Sequence, residues 1–380
     1  ERRASPGASP GASMKYLDEY RDSDVVRALL ARIEHTVTRP WVLMEICGGQ
    51  THTIMRYGLH DLLPKMVELV HGPGCPVCVT PAGILDRAVE LALRPNVTLV
   101  TYGDLLRVPG SQMDLLSAKA RGADVRMVYS PLDALRIARA YPERTVIFLA
   151  VGFETTAPAN AMAIYQAERE GLKNFSLLAS HVLVPPAIRA LLASATCRVQ
   201  GFIAPGHVCA VVGCKEYEAM VREYRVPIVV GGFEPVDLVQ AILALVTMLE
   251  AGRAEFSNEY TRSVNYLGNL YAQHVVAEVF TVADQTWRGM GKIAQSGLRI
   301  REKYAQYDAS RLFDAQIKEP PAPAVCISAE ILQGLRKPTD CAAFGTACRP
   351  ENPIGAPMVS AEGACSAYYR YRRQNVEVMQ

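Results

Sequence analysis

Two stretches of the sequence, Glu45-Ile46-Cys47-Gly48-Gly49-Gln50-Thr51-His52 and Gly72-Pro73-Gly74-Cys75-Pro76-Val77-Cys78, carry three thiols and a histidine. Each lies where an apolar, β-favouring run gives way to glycine, which is the pattern of a buried strand that ends in a turn. The pattern therefore predicts that these thiols lie at the carboxyl ends of strands. The spacing of Cys75 and Cys78 allows a disulfide, and the N-terminus of a following helix would stabilise their thiolates.

The same rhythm of strand and helix continues through the following two hundred or so residues. The predicted strands are 41–46, 66–70, 97–101, 125–129, 145–151, 175–180, 201–204 and 227–230. The predicted helices are one or two within 14–36, then 81–93, 113–121, 132–141, 157–170 and 236–249. This alternation predicts an α/β fold with two parallel sheets covered by helices.

The rhythm restarts after Gly152, and it is lost from about residue 257. We therefore predict a disordered tail at 1–13, a first α/β domain at 14–152, a second at 153–256, and a loop-rich or helical C-terminal domain at 257–380. Ligands of open parallel sheets bind beyond the carboxyl ends of the strands. The turns of the two α/β domains are thus expected to flank one cleft.

Two further candidates lie in turns of the second domain. His207, in Ala204-Pro205-Gly206-His207-Val208, fits either a satisfied core histidine or a functional group facing the cleft. Glu154, in Gly152-Phe153-Glu154-Thr155-Thr156, more simply belongs to the cap of the following helix.

Composition limits the class of protein. The chain has 380 residues, half of them hydrophobic, so it can bury a large core. Its net charge of +2 and its dispersed basic residues do not suggest a nucleic-acid binder. The sequence has no apolar run of transmembrane length and no signal-peptide core, so a cytoplasmic location without membrane contact is expected. Ten cysteines in a reducing compartment favour metal or redox use over structural disulfides.

Four cysteines follow a proline-rich linker at 319–323 and are surrounded by little apolar sequence: Cys326, Cys341, Cys348 and Cys365. A segment of this kind is typically organised by a metal centre. The four lack the paired C-x-x-C knuckles of structural zinc sites, so their spacing favours an iron–sulfur cluster. Zinc remains open upstream, where Cys47, Cys75, Cys78 and His52 would make a Cys3His set. The other thiols, Cys197, Cys209 and Cys214, are most simply small buried hydrophobes.

Several of these motifs resemble the HypD family of NiFe-hydrogenase maturation factors. They occur in the family order and are Cys47-Gly48-Gly49-Gln50-Thr51-His52-Thr53, Gly72 to Cys78, Ala150 to Pro158, Ala204 to Val208, Gly231 to Pro235, and Asp340-Cys341 through Glu362-Gly363-Ala364-Cys365 to Tyr369. The resemblance runs from about Tyr16 to Tyr371. It departs from the family at Ser328 and Pro357, where relatives often have further cysteines.

The resemblance implies a redox-active assembly scaffold rather than a turnover enzyme. With the partner HypC it would hold one iron while an Fe(CN)2CO unit is built for the hydrogenase large subunit, and HypE would deliver cyanide as a protein thiocyanate. Cys47 would bind the iron, and Cys75 and Cys78 would be the redox pair. His52, His207 and Glu154 would shape the iron site or move protons. The four C-terminal cysteines would hold a 4Fe-4S cluster.

Two other classes remain as alternatives on the sequence alone. A thioredoxin-like dithiol/disulfide oxidoreductase fed by an iron–sulfur cluster would use Cys75 and Cys78 without needing Cys47. A structural zinc protein would need neither redox chemistry nor iron.

Overall fold

The computed structural model describes residues 18–313, 319–321 and 323–378, with side chains through Tyr371. The predicted tail at 1–13 lies outside these residues, as does part of the proline-rich linker. The helices are α1 (Ser23–Thr36), α2 (Gly48–Arg56), α3 (Leu59–Leu62), α4 (Pro76–Val79), α5 (Ala82–Ala92), α6 (Leu115–Ala120), α7 (Pro131–Ala140), α8 (Ala157–Glu170), α9 (Val184–Leu192), α10 (Gly206–Val212), α11 (Lys215–Tyr224), α12 (Pro235–Glu250), α13 (Leu270–Val279), α14 (Ala309–Leu312), α15 (Ser328–Leu332) and α16 (Ala364–Val378). The strands are β1 (Trp41–Glu45), β2 (Val67–His71), β3 (Val97–Thr101), β4 (Asp124–Met127), β5 (Thr145–Gly152), β6 (Phe175–Val182), β7 (Gly201–Pro205), β8 (Ile228–Gly231), β9 (Phe256–Asn258), β10 (Phe280–Trp287) and β11 (Gly291–Ile300).

The strands form two sheets, which confirms the predicted α/β class. The first sheet has the order β2-β1-β7-β8-β9 and is parallel throughout. The second has the order β10-β11-β6-β5-β3-β4 and is parallel from β6 to β4. Its other edge is an antiparallel hairpin, because β11 pairs antiparallel with both β10 and β6.

Sheet membership does not follow the division expected at Gly152. The strands β1 and β2 precede this residue but pair in the same sheet as β7, β8 and β9, whereas β6 follows it and extends the sheet of β3 and β5. Parallel strands buried on both faces read as continuous apolar runs. Such runs identify a strand but carry no local information on which sheet it joins.

The region after residue 257 also differs from the expected separate domain. Its helix α13 packs on α8, and the hairpin of β10 and β11 completes the second sheet. Many of the outward residues of β10 are polar and exposed, so the strand lacks the apolar run that marked the others. The tight turn places Gly289 and Gly291 at positive φ, where glycine is favoured.

Helices cover both faces of each sheet. In the first sheet, Leu43 of β1 packs into a core with α1, α2 and α12, whereas Met44 and Ile46 face the core with α9, α10 and α11. This alternation is the period of two expected of a strand buried on both faces. Tyr368 of α16 lies in the first of these cores, so the C-terminal segment is anchored to the first sheet. Within the described residues, every helix is too short or too polar to cross a bilayer.

Candidate metal and thiol site

The two cysteine-bearing turns lie side by side because β1 and β2 are parallel neighbours, with Glu45 opposite His71. The backbone N–H of Gly48 donates to the Gly74 carbonyl at 2.9 Å, joining the turns directly. A Cβ on Gly74 would overlap the backbone nitrogen and Cα of Cys47. The glycine therefore permits the close approach of the disulfide-bearing turn to Cys47.

Replacement of Gly74 by alanine is expected to lower the free energy of unfolding by about 2–3 kcal/mol, because backbone atoms must move to admit the methyl group. The matched control is Gly103→Ala, whose new methyl would meet only the Met127 side chain, the nearest atom being its sulfur at 3.0 Å. Urea titration of both variants measures the difference. An equal effect in the two variants would contradict the close approach.

Cys47 begins α2 as its N-cap residue and is 3% exposed. Burial raises the pKa of its thiol well above the usual range, and the carboxylates of Glu362 and Glu45 raise it further. The backbone N–H groups of Gln50 and Gly49 oppose this shift by hydrogen bonding to the sulfur. A thiol in these surroundings stays protonated at pH 7, and a bound metal ion would have to displace its proton.

A buried carboxylate holds the backbone of Cys47 in place. Glu45 accepts hydrogen bonds from the Cys47 N–H at 2.9 Å and from the Thr51 hydroxyl at 2.5 Å. Its Oε1 also lies 2.6 Å from His71 Nδ1, and His71 Nε2 lies 3.1 Å from the Tyr368 hydroxyl. The motifs in the sequence did not predict this network, although a charged residue that ends an apolar strand is a usable signal, since burying it without partners is costly.

Of the three polar residues predicted beside the iron, His207 lies next to Cys47. Its Nδ1 is 3.6 Å from Cys47 Sγ, and its ring packs 5.1 Å from that of Phe233. Burial lowers the pKa of His207 to about 4, so its imidazole is neutral at pH 7.

His52 is bonded instead to the C-terminal segment. Its Nδ1 lies 3.3 Å from the Ala361 carbonyl oxygen and its Nε2 lies 3.2 Å from the Tyr371 hydroxyl. Both ring nitrogens thus have partners other than the thiols proposed for a Cys3His zinc site. Among the residues that the structure describes, no three His, Cys, Asp or Glu side chains are grouped so as to hold a metal ion.

Glu154 lines a different cavity, one to which no cysteine contributes among the described residues. Its Oε1 accepts a hydrogen bond from the Val184 N–H at 2.9 Å. No side chain of this turn forms the cap that the sequence predicted for α8. Thr156 occupies the N-cap of α8, but its hydroxyl donates to the Phe153 carbonyl rather than capping the helix.

Cys75 and Cys78 form a disulfide with a Cα–Cα distance of 5.2 Å. They flank the first turn of α4, where Pro76 occupies the first helical position. The two residues are 3% and 1% exposed, so the disulfide is covered on all sides by the protein.

The four C-terminal cysteines line one small cavity of about 20 Å³: Cys326, Cys341, Cys348 and Cys365. The pKa of Cys365 is raised by burial and by the three other thiols, which places all four near one another. Ser328 and Pro357, the positions at which the chain departs from the family pattern, line the same cavity. A tetrahedral zinc site would need the sulfurs about 2.3 Å from one ion, whereas a cluster accepts thiolates that are held further apart. The four thiols are not grouped so as to hold a single metal ion, and four thiolates are the usual donor set of an iron–sulfur cluster.

A short 3-10 helix, Ala356–Met358, separates the four-thiol cavity from the disulfide. Its residues Pro357 and Met358 line the cavity, and the helix also contacts α4. Ala356 packs in the same apolar core as Val77, which lies between the two disulfide cysteines. The 3-10 helix thus contacts both the four-thiol cavity and α4, the helix that contains Cys78.

With a buried thiol at the start of α2, a disulfide in the adjoining turn and four more thiols around one cavity, the fold and site define a thiol-rich α/β protein. Sequence comparison gives the family. The HypD profile, described as "Hydrogenase formation hypA family", matches residues 24–372. The chain belongs to this HypD family, and its role is in hydrogenase maturation.

The relatives of the chain are matched along nearly their whole length. It is 50% identical to "Hydrogenase maturation factor HypD" of Azotobacter vinelandii, over 96% of this chain and 99% of the relative. It is also 50% identical to the protein of the same name from Rhizobium leguminosarum bv. viciae, over 97% of this chain and 98% of the relative. The Escherichia coli protein of that name is 44% identical, over 96% of this chain and 100% of the relative.

Proposed function

We propose that this chain is a scaffold on which one iron acquires cyanide and carbon monoxide ligands before delivery towards the hydrogenase large subunit. A HypC-type protein would share the iron, and a HypE-type protein would donate the cyanide. The proposal rests on the contact between the Cys47 turn and the turn that contains Cys75 and Cys78. The Gly48 N–H joins the two turns by donating a hydrogen bond to the Gly74 carbonyl. It brings Cys47, the proposed iron ligand, close to the two cysteines proposed as the redox pair.

Cys47 is the residue that holds the iron in this proposal, together with a cysteine of the HypC-type partner. Soft thiolate ligands suit low-valent iron. Iron binding requires loss of the Cys47 proton, and the neutral imidazole of His207, 3.6 Å away, offers an unprotonated nitrogen to receive it. The N–H groups of Gln50 and Gly49 then stabilise the thiolate.

Cys75 and Cys78 supply the electrons that release cyanide. A thiocyanate R–S–CN reacts with two thiols to give R–SH, HCN and a disulfide, so the carbon–sulfur bond breaks and the dithiol is oxidised. The product disulfide is the Cys75–Cys78 bond present in the structure. Because the pair adjoins Cys47, the cyanide is released close to the iron that it must bind.

The four-thiol cavity is proposed to hold a 4Fe-4S cluster through Cys326, Cys341, Cys348 and Cys365. A bound cluster would supply the electrons, one at a time, that return the disulfide to a dithiol. The chain's own contribution is the short path through Ala356–Met358, which touches both sites.

The rival function is a dithiol oxidoreductase acting on protein disulfides. Thiol–disulfide exchange requires direct access of one sulfur to another. Cys75 and Cys78 are almost fully buried, which restricts access for a protein disulfide and for a protein thiocyanate alike. The two functions are therefore distinguished by the reaction that the dithiol performs.

Cys78→Ser is expected to reduce cyanide release from a HypE-type thiocyanate to background, because a single remaining thiol cannot complete the two-electron step. Cyanide trapped after mixing the reduced chain with the HypE-type thiocyanate protein measures this. Cys197→Ser, at a thiol in neither site, is the matched control and should react normally. Normal cyanide release by Cys78→Ser would show that Cys75 and Cys78 are not the redox pair. Rapid reduction of an unrelated protein disulfide by the unaltered chain would favour the dithiol oxidoreductase.

A further inference from the structure

A large, partly open cavity lies away from all the proposed iron and cluster ligands. It has a volume of about 640 Å³ and is lined by residues of α9, α10, α11, α13 and the hairpin of β10 and β11. Its walls are mainly apolar, with contributions from Leu183, Val212, Val276, Ala277, Val282 and Leu298. Cavities of this size that are mostly apolar with a few polar groups are typical binding sites for small molecules.

One polar group on this wall lacks a partner. Glu154 is 5% exposed, and its Oε1 accepts the hydrogen bond from the Val184 N–H. Its Oε2 is buried without a hydrogen-bond partner among the described residues. Buried polar atoms are nearly always paired, and leaving one unpaired costs about 1–3 kcal/mol. A ligand that bonds to Oε2 would remove this cost.

The charged groups around the cavity define the kind of ligand. Arg189 is paired with Glu223, and Arg301 donates to the carbonyl oxygens of Ala277 and Phe280 at 2.7 and 3.0 Å. Glu223 offsets the charge of Arg189, whereas the partners of Arg301 are neutral, so its charge is offset by the Glu216 carboxylate on the same wall. The charged groups therefore balance, which favours an uncharged ligand.

We propose that this cavity binds a small, uncharged and largely apolar molecule through a carbonyl-type oxygen that accepts a hydrogen bond from the carboxyl group of Glu154. The apolar walls bury the body of the molecule, and the unused Oε2 fixes its orientation. The site is distinct from the Cys47 site, although α10 contributes to both, with His207 near its start and Val212 at its end.

Glu154 can act as the donor because it is protonated at neutral pH. Burial raises its pKa to about 8, helped by the nearby Glu216 carboxylate and opposed by two backbone N–H groups. The other titratable neighbours, Cys209 and Tyr217, stay neutral, since burial raises their pKa values as well. As the pH rises through about 8, Glu154 loses its proton and the donor is lost, so binding should weaken.

The test uses the full-length chain and the fluorophore prodan, an uncharged naphthalene bearing a ketone, whose emission shifts to the blue in apolar surroundings. Blue-shifted binding at pH 7 is expected to weaken about tenfold in Glu154→Ala, the loss of one neutral hydrogen bond. The unaltered chain should lose a similar factor between pH 7 and pH 9.5. Glu154→Gln keeps an uncharged donor, so its binding should not depend on pH in this range.

Cavity-filling variants locate the probe. Ala277→Trp should abolish the blue-shifted emission, whereas Leu132→Trp, on an exposed position of α7, should leave it unchanged. If Ala277→Trp does not fold by circular dichroism, Val282→Trp replaces it, since that side chain is half exposed at the cavity wall. Absence of binding, binding that survives cavity filling, or equal binding by Glu154→Ala and the unaltered chain at both pH values would each overturn the proposal. None of these outcomes bears on iron retention at Cys47, which is measured separately.

Discussion

Cys47→Ala is expected to lose the iron under assembly while keeping the four-thiol cluster. The change removes the one sulfur that lies beside His207 and the disulfide-bearing turn, and it leaves the backbone contacts of that turn in place. Iron analysis of the chain co-purified anaerobically with a HypC-type partner should show about one iron fewer per chain. Acid-labile sulfide should not change, because the cluster thiols lie in a separate cavity.

The control for this experiment is Cys197→Ala, which removes a partly exposed thiol remote in sequence from both sets of ligands. It should retain the full iron content. Retention of iron in Cys47→Ala would show that another residue holds it, and loss of both iron and sulfide would show that the two sites depend on each other for folding.

Cys348→Ser is expected to bleach the cluster. Cys348 is buried, accepts a hydrogen bond from the Ile354 N–H at 3.3 Å and packs in a small apolar cluster with Met358. Hydroxyl oxygen is a poor replacement for thiolate at iron–sulfur centres, so visible absorption and acid-labile sulfide should fall to near background. The segment around Phe344 should then lose protection against hydrogen exchange.

The two sheets should survive this change because they have large cores of their own. Hydrogen exchange in β1 and β5 should therefore match that of the unaltered chain. Tyr368 is packed in the core of the first sheet, so α16 should remain docked even when the cluster is lost. Global unfolding of Cys348→Ser would contradict this separation of the cluster segment from the two sheets.

The sequence was most informative where strands are fully buried. The predicted strands at 97–101 and 145–151 differ from β3 and β5 by at most one residue, because continuous apolar runs bounded by turn residues have few other interpretations. Cys47 and Cys75 follow β1 and β2, as the pattern predicted, and the direct contact of the two turns is a finding of the structure. Parallel strands bring their carboxyl ends to one edge of the sheet.

Local sequence patterns did not predict which strands pair in the same sheet. The chain leaves the first sheet after β2, builds most of the second, and returns at β7, a route set by packing between distant segments. His52 and Glu154 illustrate the same limit in the site. His52 lies five residues after Cys47, yet its side chain bonds to Tyr371 near the end of the described chain. Glu154 follows the buried Phe153, yet its carboxylate bonds to the N–H of Val184.

Cys47 and its neighbouring dithiol are proposed to assemble an iron that carries cyanide and carbon monoxide. The most direct test of this proposal is an infrared spectrum of the chain purified anaerobically with a HypC-type partner, together with iron and sulfide analysis. We expect brown protein with about four cluster irons and four sulfides, plus cyanide and carbonyl stretching bands that vanish in Cys47→Ala. Brown protein without such bands would point to the dithiol oxidoreductase, and colourless protein containing stoichiometric zinc would contradict both functions.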